Sequence, residues 1–227
     1  LAASLEANPH NVETMLTLAN MYRSRGGDAS AVELCRAQCR KVISSDPTNE
    51  AATIILSESL FSTDESDEAV VPLHELLKEC PSNYHALEKI IILLRRSGRL
   101  DEVPPYMEAA AKADSRSASH PGYHFCSGLY ARFTNDPIKA VQEFNRARRD
   151  AEWGPDSLVY MIELYLNPDN DSAWEGVGVS ASDTAVDENH AENIAVAESL
   201  LEELTPKARD KRRLSVLKAY CSLATRQ

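Results

Sequence analysis

The sequence predicts an all-α chain, a right-handed solenoid of about eleven helices stacked as successive helix–turn–helix pairs. Three observations carry this expectation. The stretch "SDPTNEAATIIL" at 45–56 returns as "ECPSNYHALEKII" at 79–91, which sets Pro47 and Pro81 34 residues apart. The apolar residues that follow recur at steps of three and four, which keeps them on one helical face. Ala, Leu, Glu and Arg are common, only 8 of 227 residues are Gly, and runs of alternating β-branched residues are scarce. That balance favours helix over strand.

The helices follow in order. From Val12, Met15, Leu18, Ala19 and Tyr22 share one face, and Cys35, Cys39 and Val42 return on a second helix before Pro47 closes the unit. Ile54, Leu56, Ser57 and Leu60 repeat the first helix; Ala69, Leu73 and Leu76 repeat the second, closed by Pro81. The third unit uses Leu87, Ile90, Ile91 and Leu94, turns at Ser97-Gly98, and returns through Val103, Met107 and Ala110. The fourth reads Tyr123, Cys126, Ser127 and Tyr130, then Ala140, Phe144 and Ala147. In the fifth, Leu158, Met161, Ile162 and Tyr165 are answered by Ala197, Leu201 and Leu204 across an acidic loop insertion at 167–189. The last helix, "KRRLSVLKAYCSLA", opens a sixth unit. Unit boundaries fall at about 11–48, 49–82, 83–118, 119–154, 155–206 and 207–227, one array over 1–227. Pro105, Pro137 and Pro155 stand where helices begin, because a first-turn proline forfeits no needed hydrogen bond. Asp101 and Asp136 are placed to cap such starts. Pro72 predicts a late start or a kink in its helix.

This 34-residue pattern, with small residues at the close crossings, an aromatic late in the first helix and proline at the end, resembles the tetratricopeptide repeat, or TPR. The resemblance implies a right-handed TPR α-solenoid. The usual tryptophan and glycine of the first helix are replaced by Met15, Thr53 or Leu87 and by Ala19, Ser57 or Ile91, and the first unit carries about four extra residues around Gly26 to Ala31. In the second half, "FNRARRDAEWG", "YMIELYLNPDND" and "RRLSVLKAYCSLATRQ" resemble the intraflagellar transport protein 139 family, the large TPR-array subunits of intraflagellar transport complex A. That likeness is clearest over 125–227. It implies an internal piece of a longer solenoid, a structural subunit with no catalytic residues, other complex A subunits as partners, and residence in the cytoplasm, the cilium or flagellum and the basal body. The work implied is retrograde ciliary transport and the trafficking of ciliary membrane proteins.

Composition narrows the function classes. No run of eighteen apolar residues is present, so membrane insertion is not expected, and no signal-peptide pattern opens the chain. The missing initial Met fits a fragment. Five cysteines, with no CxxC pair, fit a reducing compartment. Of the net charge of −11, fourteen acidic residues and no Lys or Arg lie between 150 and 206, leaving a slightly basic remainder. No general phosphate-binding surface, and hence no nucleic-acid partner, is expected.

No catalytic or cofactor-binding constellation stands out, so no enzyme, no cofactor and no metal are expected. Cys35 and Cys39 fit core packing better than half a metal site. In "HPGYHFC", His120, His124 and Cys126 accompany a helix start, and "GVGV" at 176–179 has neither the strand nor the lysine of a phosphate cradle. The positions of a carboxylate clamp are filled by Leu16, Asn20, Ile55, His85 and Lys89, of which the asparagine fits and the lysine fits in part. On the inner face Arg23, Glu58, Ile92, Arg95 and Arg96 are candidate partner contacts, with a solvated face as the competing reading. Trp153 is expected to plug the seam before the fifth unit. Trp174, in the acidic insertion, is either a partner anchor or folded back on its own repeat. A stand-alone TPR adaptor of a chaperone or degradation assembly is the alternative function.

Overall fold

The computed structural model describes residues 12–24, 29–63, 65–113, 116–166 and 187–225. Among them there are eleven α-helices and no strand. They are α1 (Val12–Ser24), α2 (Ala29–Ser45), α3 (Glu50–Phe61), α4 (Ser66–Glu79), α5 (Tyr84–Arg96), α6 (Val103–Lys112), α7 (Pro121–Phe133), α8 (Pro137–Ala147), α9 (Gly154–Leu166), α10 (Asp187–Leu204) and α11 (Lys211–Ala224). The fold is the all-helical TPR repeat fold. Where the sequence pointed to one array, the chain divides into two compact units, Leu1–Ala118 and Ser119–Gln227. The division falls at 113–120, "ADSRSASH", a stretch with no apolar stripe to pack.

The repeated punctuation is a helix end, a tight turn and a cap. Asn49 N–H bonds to the Asp46 carbonyl at 3.2 Å and Asn83 N–H to the Cys80 carbonyl at 3.1 Å, turning the chain about Pro47 and Pro81. Each asparagine then accepts from the third residue on, Ala52 or Ala86, both at 3.0 Å, which satisfies an otherwise orphaned helix donor. His120 caps α7, Asp136 caps α8 and Asp210 caps α11 in the same manner. Gly98, at φ +69°, makes the turn after α5, a conformation that strains any residue with a Cβ. Asp101 does not cap α6; it lies in a 3₁₀ turn, Leu100–Glu102. Pro72 sits inside α4, which begins at Ser66 and so does not start late.

Within the first unit, α1 packs on α2, α3 on α4 and α5 on α6, while first helices also meet, α1 on α3 and α3 on α5. Within the second unit, α7 pairs with α8 and α9 with α10, and α11 lies against both α9 and α10. The predicted faces of α2, α4, α6 and α8 are buried throughout, including Ala69 and Ala140 at no exposure; on α10 Ala197 and Leu204 are buried and Leu201 is half-buried. Two first helices differ in phase. In α3, Ile55 is buried and Ile54 only half so. In α7 the core residues are Phe125, Cys126, Gly128 and Leu129, while Tyr123, Ser127 and Tyr130 are half-buried. The aromatic rings at 123 and 130 mislead because the smaller Gly128 is what lets α8 approach. The expected loop at 167–189 also ends early, since α10 begins at Asp187; residues 167–186, with Trp174 and "GVGV", lie outside the described residues.

Candidate partner-binding surface

The eighth residues of the five paired first helices are Ala19, Ser57, Ile91, Gly128 and Met161 in turn. All five are buried. A Cβ on Gly128 would stand 2.7 Å from the Phe144 ring, so the crossing of α7 and α8 leaves no room for a side chain at this position. Trp153 closes this part of the core, with its ring centroid 5.0 Å from that of Phe125, as its expected seam position requires.

The charged residues of the first helices form ladders. In the first unit, Arg23 of α1 bonds to one Glu58 oxygen at 2.9 Å, and Lys89 of α5 reaches the other at 3.1 Å. In the second unit, Arg132 of α7 and Arg213 of α11 hold the two oxygens of Glu163 at 2.7 and 2.8 Å. Both arginines also lie over the Tyr160 ring, 4.9 and 5.0 Å from its centroid. Burial works against the Arg213 charge, yet the hydrogen bond and charge of Glu163 hold its pKa above the ordinary value.

Of the predicted contact residues, Glu58, Ile92 and Arg96 come together. They line a groove of about 600 Å³ between α3 and α5, with Ile54, Phe61 and Lys89. Arg96 lies over the Phe61 ring, 5.4 Å from its centroid, and Arg23 joins through Glu58. Arg95 is exposed at the end of the same helix, outside the groove lining. Among the clamp positions, Ile55 is buried in the core, Leu16 is packed against it, and Lys89 is engaged with Glu58. A second groove, on the other layer, lies between α4 and α6, where His74 Nδ1 and the Tyr106 hydroxyl are 2.9 Å apart.

Sequence reasoning missed Arg36. It is 7% exposed and ties α2 to the end of α3, through the Ser59 carbonyl at 2.9 Å and Glu65 at 2.9 Å. The Thr63 hydroxyl and the Arg36 guanidinium hold the Glu65 carboxyl below its usual range. No spacing rule singles out one buried arginine in a helix otherwise rich in exposed charge. The predicted metal candidates are otherwise engaged: His120 accepts from Gly122 N–H, His124 Nδ1 is 2.8 Å from Glu143, and burial pushes the Cys39 thiol up to about 12. Among the described residues no helix is long and apolar enough to cross a membrane.

Residues 50–166, more than half of the chain and spanning both units, match a family model described as the TT21 fifth ARM repeats domain. The chain belongs to the TT21 family. Among its relatives, human tetratricopeptide repeat protein 21A is 31% identical over 96% of this chain, and human tetratricopeptide repeat protein 21B is 37% identical over 94%. The tetratricopeptide repeat protein 21 homolog of Caenorhabditis elegans is 29% identical over 72%. The chain spans only 17% of the length of the first of these. Two solved TPR structures share the fold at low identity. The Thermus thermophilus protein gives a TM-score of 0.62 at 15% identity over 93% of this chain and 99% of that one; the Parabacteroides merdae protein gives 0.61 at 14% over 99% and 77%.

These matches correct the narrower resemblance. Intraflagellar transport protein 139 is the 21B member, and the chain matches 21A over the same extent, so the assignment to that one protein does not stand. The stretches that suggested it supply Phe144, Trp153, Tyr160 and Arg213, which build the aromatic core and the second ladder. They mark the fold of a TT21 repeat segment rather than one member. A TT21 repeat array of this kind is a protein-interaction scaffold.

Proposed function

We propose that this TT21 segment is a non-catalytic scaffold within a subunit of intraflagellar transport complex A, acting in retrograde ciliary transport and in the trafficking of ciliary membrane proteins. Its partners are then the other complex A subunits, and its places of work the cytoplasm, the basal body and the cilium or flagellum. The observation that carries this reading is the build of the inner layer. Three successive first helices in each unit are locked together by one shared carboxylate, and stacked repeats so fixed act by holding surfaces at set spacing. The likeness to the 21A and 21B proteins, of which 21B is intraflagellar transport protein 139, supports the choice of assembly.

The test is deletion of these repeats from the parent chain in ciliated cells. Reduced recovery of the parent with the particle, and material collecting at ciliary tips, is the expected result. Full incorporation with normal return traffic would overturn the reading in favour of an independent adaptor.

A further inference from the structure

We propose that Ser215, in "KRRLSV" at the start of α11, is a phosphorylation site for a basic-directed serine kinase. The site goes beyond the scaffold reading and does not depend on it. Kinases of this class seat arginines two and three residues before the serine against their own carboxylates, and accept an apolar residue just after it. Here those places hold Arg213, Arg212 and Val216. Ser215, Lys211 and Arg212 are exposed, as is Val216, an apolar side chain left in solvent. Neither Lys211 nor Arg212 has an ion-pair partner among the described residues. Only Arg213 is engaged, on Glu163 at 2.8 Å, and its side chain is still 36% exposed.

A kinase grips its substrate in extended form, so the first turns of α11 must open. Little holds them shut. No residue from 205 to 216 is buried, and the first buried side chain of α11 is Leu217. Opening gives up chiefly the Asp210 cap, the Ser215 hydroxyl bond to the Lys211 carbonyl at 2.9 Å and the Arg213 pair, without uncovering a buried side chain. Magnesium-bound ATP is the phosphoryl donor. Ser215 Oγ bonds to the γ-phosphorus as the bond to the β-phosphate oxygen breaks; ADP leaves, and the hydroxyl proton passes to the kinase's carboxylate base. The added group carries about −1.5 to −2 charges. Once the helix re-forms, Lys211 and Arg212, four and three residues back, share its face and hold it.

The experiment incubates the folded 227-residue chain with radiolabelled ATP, magnesium and the catalytic subunit of cyclic-AMP-dependent protein kinase, a basic-directed enzyme. Mass spectrometry of the digest then places the phosphate. Label should appear at Ser215, and Ser215→Ala should lower total incorporation by about tenfold or more. Arg212→Ala should slow labelling by about tenfold or more, because it removes a contact to the kinase from a side chain that packs on nothing. Ser222, exposed on the same helix with Ala219 and Tyr220 in the two preceding places, should stay unlabelled. A synthetic peptide of residues 209–220 reports the rate without the helix, and the folded chain should come within about a hundredfold of it. Circular dichroism melts confirm that each variant is folded. Label on the peptide with none on the folded chain, label chiefly at another residue, or an Arg212→Ala chain labelled at the wild-type rate would overturn the proposal. The scaffold reading is tested separately, by deletion in cells, and stands or falls on that result alone.

Discussion

Gly128→Ala sets two effects of known sign against each other. Alanine is the better helix former by about 1 kcal/mol in a helix interior. The new methyl group, however, would sit 2.7 Å from Phe144 Cε1 and 2.8 Å from Cδ1, inside any normal contact distance. Relief requires the ring to move. Phe144 is fully buried, stacked on Tyr160 at 5.4 Å between centroids and met by Phe125 at 5.8 Å, so the ring has no open side. Overpacking of this kind costs about 1–3 kcal/mol, and a walled aromatic ring belongs in the upper half of that range. The net expectation is a loss of about 1–2 kcal/mol once the propensity gain is subtracted. Urea unfolding followed by circular dichroism should show a lower midpoint with an unchanged slope. Phe144→Leu makes room, so in the double variant the alanine should cost less by about 1 kcal/mol than in the wild-type background. A midpoint raised by Gly128→Ala, or a strictly additive double variant, would refute the close-crossing argument.

Arg36→Met keeps the apolar stem but removes the charged bonds to the Ser59 carbonyl and the Glu65 carboxylate, leaving that carbonyl with the Ser62 hydroxyl alone; a loss of about 2 kcal/mol is expected in the same urea assay. Glu163→Gln leaves two guanidiniums facing one neutral amide at a site about a quarter exposed, so a loss of at most about 1 kcal/mol is expected, shrinking in high salt. The carboxyls of Asp46, Glu65, Glu102 and Glu203 are held low by side-chain hydrogen bonds from Thr48, Thr63, Arg99 and Lys207 respectively. Their contribution is present above the unfolded carboxyl range and is lost as pH falls through their folded values, so melting temperature should drop below about pH 4. The Cys39 thiol, pushed up to about 12, should resist a thiol reagent at pH 8 while half-buried Cys80 reacts; fast labelling of Cys39 in the native chain would contradict its burial.

Second helices were legible because their apolar residues recur at three and four steps with little competition. Every predicted face residue of α2, α4, α6 and α8 is buried. First helices were harder, since α3, α5 and α9 meet the second helix before them as well as their own, and α3 also meets first helices on both sides. In α3 the run Ile54-Ile55-Leu56 leaves the phase open, and in α7 the aromatic residues outweigh a glycine whose importance lies in having no side chain. The groove was legible in part. Glu58, Ile92 and Arg96 sit on the predicted face, but Ser57 was assigned to the crossing alone, and nothing in spacing shows that its hydroxyl would go unpaired.

The two ladders share a construction that apolar periodicity does not require. A cation late in one first helix and a cation early in the next but one share the glutamate between them, in α1, α3 and α5 and again in α7, α9 and α11. Ion pairs as exposed as these contribute about 0–1 kcal/mol each, so the buried faces and not the ladders hold the units together. What a carboxylate with one oxygen for each neighbour adds is geometry. Apolar contacts tolerate a helix rotated by part of a turn, whereas a carboxylate bonded on both sides fixes the rotation of three helices at once. It also pairs one acid with two cations, although over α1, α3 and α5 as a whole Arg23, Lys89, Arg95 and Arg96 are balanced by Glu13, Glu50, Glu58 and Glu88. In the first unit the glutamate held in this way, Glu58, also lines the open apolar groove between α3 and α5, so the rotation it fixes sets the width of that groove.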